Sequence, residues 1–168
     1  LTTSMKSVGE SMAIGRSFEE SFQKALRSLE IGISGWESDG IISLEHENDL
    51  INNLRTPTAE RILFIKKAME LGKDNSYINK ASNIDLWFIE KLRIIFDFEN
   101  KYLKNKDLFS LNKEIILKAK QLGFSDKQIA NLTNNDFFEV RNYRISLNVL
   151  PIYKTVDTCS AEFESTTP

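Results

Sequence analysis

The sequence has few of the residues that most often carry chemistry. Its 168 positions hold one cysteine, Cys159, and one histidine, His46. A lone cysteine excludes an internal disulfide and fits a reducing compartment. One His and one Cys cannot build a common zinc site. A cysteine nucleophile needs a base, usually His. His46 sits between Glu45 and Glu47, and nothing in the sequence brings it to Cys159 in VDTCSAEF. A buried structural cysteine is the simpler reading. A basic excess is missing too. The net charge is −2, which argues against a general binder of phosphate backbones. No apolar run approaches the roughly 20 residues of a membrane span. The first residues, LTTSMKSVGE, lack the apolar core of a signal peptide. SVGESMAIG holds Gly9 and Gly15 but matches neither GxGxxG nor a Walker loop. Glu45, Glu47 and Asp49, and likewise Asp97 and Glu99, read more simply as solvated faces than as magnesium ligands.

Chain breakers are also scarce, with three prolines and seven glycines. That favours helices joined by short connections. Hydrophobic residues make up 41% and charged residues 27%, ordinary for a globular chain of about one domain with flanks. Strand signals are few, and the clearest is Ser11–Arg16. Ser17 then begins a helix, with Glu20 at capping-box spacing. Phe18, Phe22, Ala25, Leu26 and Leu29 give that helix one apolar face. Gly35–Gly40 reads as a boundary. Beyond it the spacing predicts helices over 46–54, 57–71, 84–104, 111–122, 125–132 and from Asn135 or Asp136 to 146, with a turn or short helix near 76–82. Thr56-Pro57 starts the second of these with proline in its first turn. Ser125 and Gln128 form a second capping-box pair. Pro151 blocks continuation, and residues 152–168 read as extended. The fold class expected is all-α: a compact, orthogonal domain of about seven helices with a strand-like N-terminal flank and an extended C-terminal tail. Helices without a sheet must bury their stripes on one another.

The segment 84–104 should be the central helix. On its apolar face Trp87 is expected among the buried rings. The cluster Trp87, Phe88, Phe96 and Phe98 reads as core before it reads as a docking surface. In 114–132 a helix, a glycine turn and a second helix have the layout of a helix-turn-helix, and Lys127, Gln128 and Asn131 could face bases. The second helix is short and lacks basic support, so a structural corner is the stronger reading. In 46–54, Leu50, Ile51 and Leu54 occupy positions that one face cannot bury together. They are the candidate subunit contact, the alternative being that they close the domain edge. No residue is assigned a catalytic, cofactor-binding or metal-binding role.

Several blocks resemble the large subunit of carbamoyl-phosphate synthase, in order along nearly the whole chain. They are MKSVGE with MAIGR, RILFIKKAMELG, NIDLWFIEKL, LKAKQLGFSDKQIA and VDTCSAEF. Ser11, Ser17 and Ser160 depart mildly from that pattern, and 37–56 matches poorly. The resemblance implies a piece of a larger enzyme, which the opening Leu and closing Thr-Thr-Pro also favour. It implies that 1–36 ends an ATP-grasp (carboxyphosphate) half, that 37–150 is a helical oligomerisation domain, and that 151–168 opens the linker to the second half. The parent would make carbamoyl phosphate from bicarbonate, glutamine-derived ammonia and two ATP, with magnesium or manganese. It would serve pyrimidine or arginine synthesis in the cytoplasm, or in the stroma if plastid-targeted. Expected partners are the other domains of the same subunit, a second large subunit and a small glutaminase subunit. Nucleic acid and membrane are not expected partners. The fragment itself would be a non-catalytic spacer without a cofactor. The alternative function is a helix-turn-helix-like DNA-binding domain.

Overall fold

The computed structural model describes residues 11–37 and 47–153. Among them are eight α-helices: α1 (Phe18–Ser28), α2 (Glu47–Arg55), α3 (Arg61–Glu70), α4 (Asn75–Ser82), α5 (Leu86–Phe98), α6 (Lys113–Gln121), α7 (Asp126–Thr133) and α8 (Phe137–Ser146). The all-α class stands, with slightly more helices than expected. A π-helical turn, Glu99–Leu103, extends α5, and a 3₁₀ turn, Leu108–Ser110, precedes α6. Ser11–Arg16 forms no strand.

Side-chain caps decide most of the starts. An oxygen of Ser17, Asp74, Asp85, Asn112, Ser125 or Asp136 accepts a first-turn amide at the head of its helix. Each satisfies a donor the helix itself leaves orphaned. The two expected capping boxes are half formed. Ser17 accepts from the Glu20 amide, but the Glu20 carboxylate accepts from the Arg16 amide at 2.8 Å. Ser125 accepts from the Gln128 amide, while the Gln128 side chain turns inward. The reciprocal box is at α8, between Asp136 and Glu139. The helix expected from Pro57 starts later, at Arg61. Tight bonds, Thr58 N–H to the Thr56 carbonyl and Arg61 N–H to that of Thr58, occupy the intervening residues.

α5 is central, as its apolar width predicts. It packs against α1, α3 and α4, and it places Ile89, Leu92 and Ile95 in the core. It does not run on to residue 104 as an α-helix. The Lys104 amide donates to the Glu99 carbonyl, a five-residue reach, and Leu103 is thereby buried. α1 is fastened to the distant α6–α7 turn. Gln23 Nε2 donates to the Leu122 carbonyl at 2.9 Å, and Arg27 donates to that of Gly123. Gly123 sits at φ +89°, and a Cβ there would lie 3.0 Å from Gln23 Cβ and from Glu20 Cα. Both the turn and the close approach of α1 therefore require glycine.

Candidate assembly surface

Leu50 and Leu54 are four residues apart, so they share one face of α2. That face is turned inward: both side chains are 0% exposed and belong to the core. The expectation that they project is corrected. Adjacent apolar positions suggested an overflow, but only Ile51 lies off the buried stripe, half-buried beside exposed Asn52. α2 packs on α3 and α4, so its two leucines close the domain edge.

The apolar surface lies elsewhere, and the sequence reading misplaced it. Trp87 is 49% exposed and Phe88 44%. They sit in the first turn of α5, which is apolar nearly all round. On such a helix the pattern cannot tell which arc meets the core. The two rings touch edge-to-face at 4.9 Å between centroids. Phe18, at the start of α1, meets Trp87 at 5.5 Å and Phe88 at 5.6 Å. Phe22 stacks on Phe18 at 5.7 Å, and Trp36 meets Phe22 edge-on at 5.7 Å. A continuous aromatic run thus leads from the fully buried Trp36 to the surface. Lys91 borders it, with its ammonium 5.5 Å from the Trp87 ring and 3.4 Å from Glu19. Leu86 adds a further exposed apolar side chain. Trp87, Phe88 and Leu86 thus leave apolar surface exposed at the start of α5.

Two buried polar clasps hold the scaffold beneath. Lys66 donates to both Glu99 oxygens, at 2.8 and 2.9 Å, and to the Trp36 carbonyl at 2.6 Å. Burial pushes the Glu99 carboxyl above its ordinary value even with the Lys66 ammonium against it. The periodicity of α3 held a signal for this. Lys66 stands four residues after Ile62 and three before Met69, on an apolar stripe. The second clasp is Asp126, bonded by Lys120 Nζ at 2.8 Å and by the Arg144 guanidinium at 3.0–3.2 Å. Burial pushes the Asp126 carboxyl up, but Arg144 and Lys120 outweigh it and hold it below the usual range. Arg144 also reaches the Val149 carbonyl, and Lys120 that of Phe124. Five residues, Lys120, Phe124, Asp126, Arg144 and Val149, are tied at one point.

The helix-turn-helix reading fails at Gln128. Its side chain is 0% exposed, so it cannot face a base. It packs against Gly35, where a Cβ would fall 2.5 Å from Gln128 Cδ. Asn131 is bonded to Glu37 at 3.4 Å, leaving exposed Lys127 without company. His46 and Cys159 lie outside the described residues. Among the described residues, no group of three or more His, Cys, Asp or Glu is placed to hold a metal ion. No described helix is long and apolar enough to cross a membrane. An open depression of about 470 Å³ is lined by Gly72–Ser76 and Arg93. There Asp74 already caps α4, and Arg93 is engaged by Asn75 and the Lys73 carbonyl.

Comparison with known proteins finds related chains. The chain is 49% identical over 168 residues to the carbamoyl phosphate synthase large chain of Nostoc sp.. It is 51% identical over 169 residues to the chloroplastic, arginine-specific large chain of Arabidopsis thaliana. It is 43% identical over 171 residues to the large chain of Archaeoglobus fulgidus. In each case the match covers 100% of this chain but only 15%, 14% and 16% of the relative. The chain therefore spans about 15% of the length of the relatives it matches. The family model for the carbamoyl-phosphate synthetase large chain, oligomerisation domain, matches residues 10–148, and the chain belongs to that family.

Proposed function

We propose that this domain joins and spaces the catalytic parts of a carbamoyl-phosphate synthase large chain and takes no chemical step itself. The observation that carries the reading is the family match over residues 10–148. The built-in clasps and the half-exposed aromatic surface support a scaffold with partners. The parent would make carbamoyl phosphate from bicarbonate, glutamine-derived ammonia and two ATP with magnesium or manganese, in the cytoplasm or a plastid stroma. Its partners would be the other domains of the large chain, a second large chain and a small glutaminase subunit. Residues 1–36 would end the carboxyphosphate half and 151–168 would open the linker. α1 rests on the helical core all the same.

Within α2, Ile51 is the position of the candidate contact that a second large chain can still reach. The test is light scattering on the complete large chain over a range of concentrations. Self-association is expected, and Ile51→Glu should weaken it about tenfold or more, a loss of roughly 1.4 kcal/mol. A complete chain that stays monomeric throughout overturns the oligomerisation reading. Unchanged association in the variant removes α2 from the contact.

A further inference from the structure

The described helices pack in two groups. α2, α3, α4 and α5 rest on one another. α7 rests on α8. α6 and the residues before it join that pair through Lys120 on Asp126 and through Tyr143 Oη, which donates to the Leu111 carbonyl at 2.8 Å. The chain passes from the first group to the second through the π-helical turn Glu99–Leu103, which packs on α5 and on α7. Helices bend at such turns, and these turns recur at functional sites.

The segment Phe18–Trp36 crosses the seam between the groups. α1 lies on α5, but Gln23 Nε2 donates to the Leu122 carbonyl and Arg27 to that of Gly123, both in the second group. Ser125 Oγ, at the head of α7, donates to the Ser34 carbonyl at 2.7 Å. Two residues on, the Trp36 carbonyl accepts from Lys66 of α3 at 2.6 Å, and the indole N–H donates to the Ile62 carbonyl of that helix. The buried stretch 34–36 is thus bonded to both groups. Across the seam the Phe98 ring meets that of Phe124 at 5.9 Å between centroids. One feature opposes closure. Gln128 of α7 is 0% exposed and pressed on Gly35, and neither its carboxamide oxygen nor its nitrogen has a hydrogen-bond partner among the described residues. A buried amide without a partner costs free energy that contact with water returns.

We propose that the π-helical turn is a hinge between two lobes, α2–α5 and α6–α8, and that Phe18–Trp36 is the strap that holds it closed. Opening would free the Gln128 carboxamide and change the angle between α1 and α8 without unfolding either lobe. The hinge concerns a single chain, so it stands or falls independently of the oligomerisation reading.

Distances between paired spin labels, measured by pulsed electron resonance on the dilute 168-residue chain, test this. Cys159→Ser removes the chain's one cysteine. Labels at Asn52→Cys and Asn142→Cys, both exposed, span the lobes, and labels at Asn52→Cys and Glu90→Cys stay within the first. Gln23→Leu and Arg27→Met each cut strap bonds. Either should raise the population at a second interlobe distance about tenfold, with the distance inside the first lobe unchanged. Adding Gln128→Met to the Arg27→Met chain should lower that population about fivefold, because an unbranched apolar side chain demands no partner. One unchanged interlobe distance in both strap variants overturns the hinge. Broadening of both label pairs together overturns it too, since the domain then loosens as one body. So does an open population that Gln128→Met leaves unchanged or raises. Arg27 is only partly buried, so Arg27→Met carries the test if Gln23→Leu does not fold.

Discussion

Trp36 and Trp87 carry the same ring to opposite environments. Trp36 is fully buried, and its indole N–H donates to the Ile62 carbonyl at 2.9 Å. Trp36→Ala should cost about 3–5 kcal/mol in urea denaturation. Trp87→Ala should cost about 1 kcal/mol, because half its surface already faces solvent. A larger loss at Trp87 than at Trp36 would reverse this assignment of the core. The sequence pointed to Trp87 as a buried ring and left Trp36 unread, for a physical reason. Trp36 stands in a short glycine-flanked stretch with no period to read, whereas Trp87 stands on a helix apolar on most of its faces. Lys66 and Glu99 make a second residue-scale case. Glu99→Gln leaves a buried ammonium without its counter-charge and should cost about 3–5 kcal/mol. A paired Lys66→Met, Glu99→Leu variant should recover much of that by thermal melting, since neither apolar side chain demands a charge partner. If the pair is no more stable than the single variant, hydrogen bonding to the Trp36 carbonyl is the dominant role of Lys66.

At the scale of elements, α2 shows what spacing can tell and what adjacency cannot. Leu50 and Leu54 at four-residue spacing name one stripe. Whether that stripe faces inward depends on α3 and α4, far along the chain. Leu50→Glu should lower the melting temperature sharply, since a carboxylate at a fully buried site has no partner. A normal melt would return Leu50 to the surface. Helix starts were more legible, because a Ser, Asp or Asn oxygen acts within three residues of its amide. The failure at Pro57 follows from the same locality: no side chain caps the first turn there, and tight turns take up the residues before Arg61. The Asp126 clasp, joining the α6–α7 turn to α8, gives a pH signature. Its carboxyl is held below the ordinary Asp value of 3.8 in the fold. The stability it contributes is present above that value and is lost as pH falls through the lower, folded one. Melts between pH 7 and pH 2 should show this acid loss, and Asp126→Asn should be less stable at neutral pH with a shallower acid limb. Equal slopes would mean that the clasp does not titrate with unfolding.

For the molecule as a whole, composition spoke most clearly about what is scarce, and the blocks of resemblance spoke about kin. Neither could show which surface meets a neighbour, since an interface depends on groups supplied from outside the domain. The scaffold reading makes one further demand. Calorimetric titration of the 168-residue chain with Mg-ATP should show no binding tighter than about millimolar, and micromolar affinity would call for a nucleotide site within it. The aromatic run gives the molecule an optical property of its own. With two tryptophans in the chain, one sealed against the Lys66 ammonium and one half in water, its intrinsic fluorescence has two separable components. A blue-shifted, acrylamide-resistant emission belongs to Trp36 and reports the core. A red-shifted, quenchable emission is expected from Trp87 and would report the exposed aromatic patch, so changes at that surface and loss of the fold could be followed in one cuvette without a label.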